Sequence, residues 1–401
     1  MSLMNVCIGD HVKKVLSWNP IQMIPDKEFH YIDLSSIDKD SKEIDLKSVQ
    51  KLLGKNAPSR ARQIVTLNDI LIATVRPNLN GVAIIKNEFE NGTASTGYCV
   101  LRVKDSLDTN YLIHWLQTKY FIQEMVNKAS GASYPAVSDK IIKESKIPLP
   151  PIEQQKKIAA ILDAADDLRQ KDKALLTKYD ELAQSLFLDM FGDPVLNPKN
   201  WDKVKFGEVG KLDRGKSKHR PRNAPELLGG VYPLIQTGDV SNSEGYITEY
   251  KSTYSEIGLA QSKMWLAGTL CITIAANIAK TGILTFNACF PDSVVGFIPN
   301  ERTNNEYTQF WISFLQKMLE ETAPESAQKN INLSILRELD FPLPPITLQN
   351  QFADRIKVIE EQKTIAQASL EKSDELFNSL LQRAFNGANH SNSEGLGGLI
   401  E

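Results

Sequence analysis

The chain has 401 residues, of which 42% are hydrophobic and 24% are charged. This composition is ordinary for globular proteins, and the length predicts about two to four domains. The formal net charge of −3 excludes a uniformly basic protein, so a nucleic-acid site would have to be a local basic patch.

The spacing of the candidate ligands excludes metal-binding and disulfide-rich classes. The four cysteines, Cys7, Cys99, Cys271 and Cys289, lie far apart without a CxxC pair, and the five histidines form no HExxH motif. No apolar run approaches the ~18 residues of a membrane span, and no signal peptide is visible. We therefore expect a soluble, cytoplasmic protein without a bound metal.

Residues 1–145 have the pattern of a mixed α+β domain. The apolar and β-branched runs "FHYIDLSSI" (29–37) and "DILIATVRPNLNGVAII" (69–85) predict strands joined by Asn/Gly turns. A helical pattern follows at 109–129.

Basic and polar side chains in this domain concentrate in short turn-like segments. "APSRARQ" (57–63) carries Arg60 and Arg62, "TVRPNL" (74–79) carries Arg76 and Asn78, and "SGASYP" (130–135) carries Tyr134. Arginine binds phosphates and base edges, so these residues are candidates for DNA binding. Alternatively, Arg76 pairs with a nearby acid and Tyr134 serves only its local turn.

Residues 146–192 predict one long helix. The "PLPP" at 148–151 favours a helix start, and no further proline or glycine occurs before Gly192. Apolar residues follow alternating steps of three and four, with Asp172 as a polar interruption, and this heptad pattern predicts a coiled-coil partner. The predicted seam residues are Ile158, Ile161, Leu168, Leu175, Leu182 and Leu186.

Residues 193–339, entered through the linker 192–201, predict a second α+β domain. "YPLIQTGDV" (232–240) resembles 29–37, "GTLCITIAANIAKTGIL" (268–284) resembles 69–85, and a helical stretch follows at 305–322. The polar residues near these predicted turns are further candidates for reading bases, although local turn chemistry would explain them equally well. They are Gln236, Thr237, Asn277 and Lys280.

The segment "RGKSKHRPRN" (214–223) is the most basic stretch, and Pro221 and Pro225 oppose a helix there. We interpret it as a loop that contacts DNA phosphates or enters a groove; the alternative is a solvated loop without a partner. Its candidate DNA-binding residues are Arg214, Lys216, Lys218, His219, Arg220 and Arg222.

The string "GKLDRGKS" (210–217) matches the phosphate-binding pattern G-x-x-x-x-G-K-[ST]. A P-loop needs a buried strand before it and a helix directly after it. Charged residues at 202, 203, 205 and 208 precede this string, and two prolines follow it. We interpret the match as a coincidence and expect Lys216 to face DNA phosphates.

Residues 340–387 align without gaps to 146–193 at an offset of 194, with 16 identities in 48 positions. The chain is therefore a duplication, and the second copy predicts a second long helix with Lys363 and Ser373 as polar interruptions. Its coiled-coil partner would be the first copy, unless both are amphipathic helices buried in separate domains. The predicted seam residues are Phe352, Ile356, Ile359, Leu370, Phe377 and Leu380. Residues 388–401 predict a disordered tail.

A strand-rich domain followed by "PLPP" and a long helix, twice in succession, resembles the specificity subunits of type I restriction–modification systems. The resemblance implies an α+β fold in which two target recognition domains are separated by two long antiparallel coiled-coil helices. It also implies an internal duplication with pseudo-two-fold symmetry. Each domain would bind one half of a bipartite, asymmetric DNA target, and the helices would set the spacer between the half-sites.

The resemblance further implies a non-catalytic subunit that recruits two modification (adenine methyltransferase) subunits and two restriction (ATP-dependent translocase–endonuclease) subunits. S-adenosylmethionine, ATP and Mg²⁺ would belong to these partners, and this chain would need no cofactor. The sequence agrees, since it has no [DN]-P-P-[FYW] motif and no evident catalytic constellation. The alternative is a non-catalytic scaffold with two protein-binding domains on a helical rod, for which the basic loops would have no use.

Overall fold

The computed structural model describes residues 4–275, 278–322 and 331–386, and the predicted tail at 388–401 lies outside them. The described chain divides into two compact units, residues 4–174 with 367–386, and residues 175–366. We call residues 4–151 the first half and residues 192–345 the second half. Each unit contains one half and one end of each long helix.

The first half contains ten short strands and four helices. The strands are β1 Asn5–Cys7, β2 Val12–Lys13, β3 Glu28–Ile32, β4 Gln50–Leu53, β5 Ala61–Ile64, β6 Ile70–Ala73, β7 Val82–Ile84, β8 Thr93–Ser95, β9 Tyr98–Val103 and β10 Lys146–Pro148. The helices are α1 Pro20–Met23, α2 Thr109–Leu116, α3 Lys119–Lys128 and α4 Asp139–Glu144. They lead into the long helix α5, Ile152–Phe191.

The strands of the first half form two four-stranded sheets, β2-β9-β6-β7 and β4-β3-β8-β5, and β1 pairs with β10. Strand β6 lies between β9 and β7 in its sheet, and both of its faces are buried. Ile70 and Ile72 face a core that also contains Trp115 of α2 and Phe121 of α3, whereas Leu71 faces a second core. This alternation is the period of two that a strand imposes on its side chains.

The described residues of the second half form eleven strands and four helices, and the second long helix follows them. The strands are β11 Lys203–Lys205, β12 Gly210–Arg214, β13 Leu228–Leu234, β14 Tyr246–Ile247, β15 Ser252–Tyr254, β16 Met264–Trp265, β17 Leu270–Thr273, β18 Thr281–Leu284, β19 Ala288–Cys289, β20 Val294–Pro299 and β21 Asp340–Pro342. The helices are α6 Thr237–Ser241, α7 Glu256–Ala260, α8 Asn305–Thr322, α9 Leu333–Glu338 and the long α10, Ile346–Asn386.

The strand pairings of the second half repeat those of the first, with one addition: β14 pairs parallel with β18 at the end of its larger sheet. Its sheets are β12-β20-β17-β18-β14 and β15-β13-β19-β16, and β11 pairs with β21. Strand β13 runs antiparallel to β15 and parallel to β19, as β3 runs antiparallel to β4 and parallel to β8. The internal duplication and the α+β class predicted from the sequence are therefore confirmed.

The two long helices pair antiparallel within each unit. In the first unit, Asp172 of α5 accepts a hydrogen bond from Ser369 of α10 at 3.3 Å, and Arg169 lies 3.7 Å from Asp374. In the second unit, Asp180 of α5 forms an ion pair with Lys363 of α10 at 2.8 Å. Partner numbers on α10 fall as numbers on α5 rise, which is the antiparallel order.

The predicted seam is wrong at three positions of α5. Leu168, Leu175 and Leu182 are 45%, 39% and 50% exposed. The other predicted seam residues are buried, namely Ile158, Phe352, Ile356, Ile359 and Phe377, or half-buried, namely Ile161, Leu186, Leu370 and Leu380.

The buried face of α5 is shifted by one residue from the leucine row. It contains the small or apolar residues Ala159, Leu162, Ala165, Ala183 and Phe187. The reason is that α5 packs against more than α10: its residues share one core with α2 and α3 in the first unit, and another with α8 in the second. A heptad pattern read as a two-helix seam does not account for this second neighbour.

Polar residues occupy the middle of the helix pair. Asp172, Lys363 and Ser373 are 8%, 8% and 3% exposed, so the polar interruptions of the sequence pattern are buried rather than solvated. The guanidinium of Arg169 lies over the ring of Phe377 at 4.4 Å. Buried polar pairs of this kind fix helix register at some cost in stability.

The long and apolar windows needed for membrane passage are missing from every helix in residues 4–275, 278–322 and 331–386.

Candidate nucleic-acid interface

The loop between β6 and β7, residues 74–81, presents Arg76 at the surface of the first half. Arg76 has the left-handed backbone conformation, with φ 51° and ψ 61°. Its backbone N–H donates to the carbonyl of Pro135 at 2.7 Å, and its guanidinium lies 5.0 Å from the centre of the Tyr134 ring. The structure thus brings together two candidates that are far apart in sequence.

The Arg76 loop is held firmly at both ends. At its start, the hydroxyl of Thr74 donates to Gly97 O at 2.9 Å. At its end, the buried Asn80 donates through Nδ2 to Leu116 O at 2.7 Å. The backbone oxygen of Asn80 accepts a hydrogen bond from Lys42 Nζ, also at 2.7 Å. Burial lowers the pKa of the Lys42 ammonium to about 8, because a charged group loses hydration there.

A cleft of about 480 Å³ opens beside Arg76 and Tyr134. Its wall is mainly apolar, and cationic side chains stand among its lining residues. The lining residues are Leu34, Ile37, Lys39, Arg60, Ala73, Val75, Arg76, Leu79, Gly81, Tyr98 and Tyr134. Tyr98 is buried and donates its hydroxyl to Asp33 O at 2.5 Å, and burial raises its pKa, so the ring remains neutral.

The remaining candidates of the first half differ in position. Arg60 is exposed and lines the cleft, and Asn78 is exposed in the turn that follows Arg76. Arg62 is half-buried on β5 and donates through Nη1 to the neighbouring Ala61 O at 2.8 Å. The structure therefore groups Arg60, Arg76 and Tyr134, whereas Arg62 does not line the cleft.

In the second half, the basic segment, residues 214–222, leaves the end of β12 and runs along the surface. Arg214, Lys216 and Lys218 are exposed. The segment is anchored through its backbone, since Lys216 N donates to Phe290 O at 3.1 Å and Lys218 N donates to Gln261 Oε1 at 2.6 Å. A surface loop with a fixed backbone and free cationic side chains suits contacts to phosphates.

Three of the predicted basic residues have acidic partners within the same half. Arg222 lies 2.5 Å and Arg220 lies 3.7 Å from the carboxylate of Asp292, and His219 lies 3.9 Å from Glu226. Asp292 is 70 residues beyond Arg222 in the chain, so no local sequence signal could have revealed it. Among the residues that the structure describes, no acidic partner lies within 4.0 Å of Arg214, Lys216 or Lys218, so the free cationic charge of the segment lies at its beginning.

The other candidates of the second half lie at the start of α6, in the loop between β17 and β18, or outside the described residues. Gln236 is exposed and precedes α6, and Thr237 begins that helix, so the predicted turn is wrong and a helical turn takes its place. The reason is Asp239, whose carboxylate accepts from Gln236 N at 2.8 Å and caps the helix. Lys280 is exposed between β17 and β18, and Asn277 lies outside the described residues.

Sequence reasoning missed two lysines close to the basic segment. Lys263 and Lys211 lie 3.7 Å and 3.4 Å from the carboxylate of Asp213, and the Lys263 ammonium lies 3.6 Å from the centre of the Trp265 ring. Lys263 follows Ser262, whose hydroxyl donates to Lys216 O at 2.9 Å. Both lysines share the Asp213 carboxylate, so they add little uncompensated positive charge, and only the fold brings Lys263 close to residues 211–216.

The phosphate-loop match at 210–217 has the wrong local structure. Its first five residues form strand β12, and a Cβ at Gly215 would lie 2.2 Å from Phe290 O, so this glycine packs against backbone rather than around a phosphate. The next α-helix, α6, begins only at Thr237. A P-loop requires a helix N-terminus directly after the lysine, so the interpretation as a coincidence is confirmed.

Within the described ranges, no group of three or more His, Cys, Asp or Glu side chains is arranged to hold a metal ion. Cys99, Cys271 and Cys289 are buried, and burial raises the pKa of each of these thiols. Such cysteines are small apolar core residues rather than reactive ones.

Comparison with known proteins decides the family. The model of the type I restriction modification DNA specificity domain matches residues 41–178 and, a second time, residues 198–372. The chain belongs to this family. It is a non-catalytic subunit of a multi-subunit type I system, and it recognises its DNA target through two domains.

Individual relatives agree with this assignment. The chain is 25% identical over 381 residues to the type I restriction enzyme MjaVIII specificity subunit of Methanocaldococcus jannaschii, covering 88% of this chain and 85% of the relative. It is 22% identical over 324 residues to the putative MjaX specificity subunit of the same organism, covering 75% and 73%.

A solved chain from a study of complex assembly and conformational transition of the type I R-M system has the same fold. Its TM-score is 0.57 at 23% identity, over 96% of this chain and 98% of that one. The family match leaves no support for the protein-binding scaffold.

Proposed function

We propose that the two halves bind the two halves of a bipartite, asymmetric DNA target. The observation that carries this proposal is that one topology occurs twice with different exposed side chains. The first half presents Arg60, Arg76 and Tyr134 at a cleft. The second half presents Arg214, Lys216 and Lys218 on a surface segment. Equal scaffolds with unequal surfaces suit two different half-sites, because base readout depends on individual side chains.

The recognition domains are proposed to be residues 1–145 and 193–339, with 146–192 and 340–387 as helices between and after them. The unpaired cations of each half would neutralise phosphates and position the protein, and the neighbouring polar residues would read bases. Arg62, Arg220 and Arg222 contribute less in this account because their guanidinium groups already have partners within the chain.

The long helices are proposed to set the spacer between the half-sites. Helix α5 has 40 residues, which corresponds to a length of about 60 Å. Half-sites on one face of a duplex lie about 34 Å apart, or one helical turn. A helix pair of this length, with register fixed by Asp172–Ser369 and Asp180–Lys363, suits a ruler for such a distance.

The partners are proposed to be two modification and two restriction subunits, which would bring S-adenosylmethionine, ATP and Mg²⁺. Two features support docking sites for them. Leu175 and Leu182 are exposed on α5, and exposed leucines along a helix favour association. In addition, a hollow of about 510 Å³ lies beside the second "PLPP", lined by Trp201, Pro344 and Pro345 among others.

The proposal is tested by mapping methylated adenines in DNA exposed to the reconstituted methyltransferase. We expect one consensus with two short specific parts and a non-specific spacer of fixed length. In a matched sample with Arg214, Lys216 and Lys218 changed to alanine, methylation should slow at all targets while both specific parts of the consensus stay the same, because the lost contacts are to phosphates. A continuous consensus, or methylation without sequence preference, would contradict the proposal.

A further inference from the structure

Arg76 has a backbone conformation that a non-glycine residue adopts only at a cost. Left-handed φ/ψ angles are uncommon for residues with a Cβ, and where they persist the surrounding structure must enforce them. Here the enforcing contacts are the 2.7 Å hydrogen bond from Arg76 N to Pro135 O and the fixed ends of the Arg76 loop at Thr74 and Asn80. These contacts therefore hold Arg76 in its costly backbone conformation and fix the position from which its side chain projects.

The Arg76 side chain is also held, and it is not neutralised. Its guanidinium lies against the ring of Tyr134, which is itself 68% exposed. Across the residues that the structure covers, no Asp or Glu carboxylate lies within 4.0 Å of Arg76, which removes the alternative of a simple ion pair. A planar guanidinium with a restricted orientation and no acidic partner has all its donors available for an external ligand.

The surroundings of Arg76 distinguish it from Lys39 and Arg60, the other cations of the cleft. Of these three side chains, only that of Arg76 lies over an aromatic ring in the part of the chain that the structure describes, and the apolar residues Val75 and Leu79 line the cleft with it. Apolar walls lower the local dielectric and strengthen hydrogen bonds to a ligand. A phosphate contact gains little from such rigidity, whereas a bidentate contact to a base needs it.

We infer that Arg76 reads a guanine in the major groove of the first half-site through its O6 and N7 acceptors. Tyr134 acts as a positioning residue that orients the guanidinium, and Arg60 and Lys39 contact flanking phosphates. The inference rests on the proposed function, which it deepens by naming the base and the residue that reads it. Guanine is the base whose major-groove edge offers two adjacent acceptors to an arginine fork.

The test is the methylated-adenine map of the reconstituted complex with single substitutions. Arg76→Ala should relax one guanine of the first half-site, lowering discrimination at that position by about 10- to 100-fold, with the second half-site unchanged as internal control. Arg76→Lys keeps the charge but loses the fork, so it should relax the same position. Arg60→Ala should slow methylation of all targets without changing the consensus.

Tyr134 is tested by a matched pair of substitutions. Tyr134→Ala should weaken discrimination at the same guanine position as Arg76→Ala. Tyr134→Phe keeps the ring and should therefore keep the wild-type consensus. Thermal unfolding of each variant establishes that the first unit is folded.

Three outcomes overturn the inference and leave the proposed function standing. They are a first half-site without guanine, an unchanged consensus in Arg76→Ala, and a uniform loss of rate in Arg76→Ala that matches Arg60→Ala. A wild-type complex without any bipartite consensus contradicts the proposed function itself.

Discussion

The side chain of Gln155 donates a hydrogen bond to the backbone oxygen of Pro150 at 2.8 Å, at the start of helix α5. Gln155 also donates to Ser106 O at 3.1 Å and accepts from Asp108 N at 2.9 Å, and it is fully buried. Gln349, 194 residues later, is also fully buried and makes the corresponding bonds, to Pro344 O at 2.9 Å and to Arg302 O at 3.0 Å. The repeated "PLPPI" followed by glutamine thus fastens each long helix to its own half.

Replacing either glutamine should destabilise its unit. Gln155→Ala leaves the buried Pro150 O and the half-buried Asp108 N without this partner, and a buried group left unsatisfied costs about 1–3 kcal/mol. Gln349→Ala should have an effect of similar size because its contacts are equivalent. Thermal unfolding measures both, with the half-buried neighbour Gln154→Ala as control. Equal melting temperatures for Gln155→Ala and Gln154→Ala would show that these bonds do not hold the helix.

A second prediction follows from the shift of the buried face of α5. Leu162 is 1% exposed and Leu168 is 45% exposed on the same helix, although the heptad pattern predicted Leu168 as a seam residue. Leu162→Ala should therefore lower the free energy of unfolding by about 2–5 kcal/mol, and Leu168→Ala by less than about 1 kcal/mol. Denaturant unfolding of the two variants compares these free energies directly. A larger effect of Leu168→Ala would contradict the shifted face and support the leucine row as the seam.

The basic segment should contribute to DNA affinity through counterion release. Each phosphate contact that is lost reduces the slope of log K against log salt by about 1. Changing Arg214, Lys216 and Lys218 to alanine should therefore reduce the slope measurably in fluorescence anisotropy over a salt series. Arg222→Ala is the matched control, since Asp292 already neutralises that residue. Arg222→Ala should leave the slope nearly unchanged. A reduction of about 1 for Arg222→Ala, the size expected for each lost phosphate contact, would contradict this assignment.

Lys42 should make stability depend on pH. Burial lowers its pKa in the folded state to about 8, below the ordinary lysine value of 10.5, so the unfolded chain holds this proton more tightly. The free energy of unfolding should consequently rise with pH between these two values as far as Lys42 is concerned. Lys42→Met removes this dependence, and the advantage of the wild type over Lys42→Met should grow across that range. Denaturant unfolding at a series of pH values tests it, and a constant or shrinking difference would refute it.

The repeat explains why much of the fold could be predicted. The apolar periods of β6 and of the long helices, and the "PLPP" starts, are local properties of the sequence. The exposed Leu168 could not be predicted, because the second neighbour of α5 comes from residues far away in the chain. The same holds for the partners of the candidate site, since Tyr134 is 58 residues from Arg76 and Asp292 is 70 residues from Arg222.

The most direct test of the central claim is to lengthen both helices and to map the methylated target again. Seven residues inserted after Ala174 in α5 and after Ala366 in α10 keep the heptad register and add about 10.5 Å to each helix. We predict that both half-sites stay the same and that the spacer grows by about one to three base pairs, at ~3.4 Å per pair. A spacer of unchanged length between unchanged half-sites would contradict the claim that the helices set the distance between two separately read sequences.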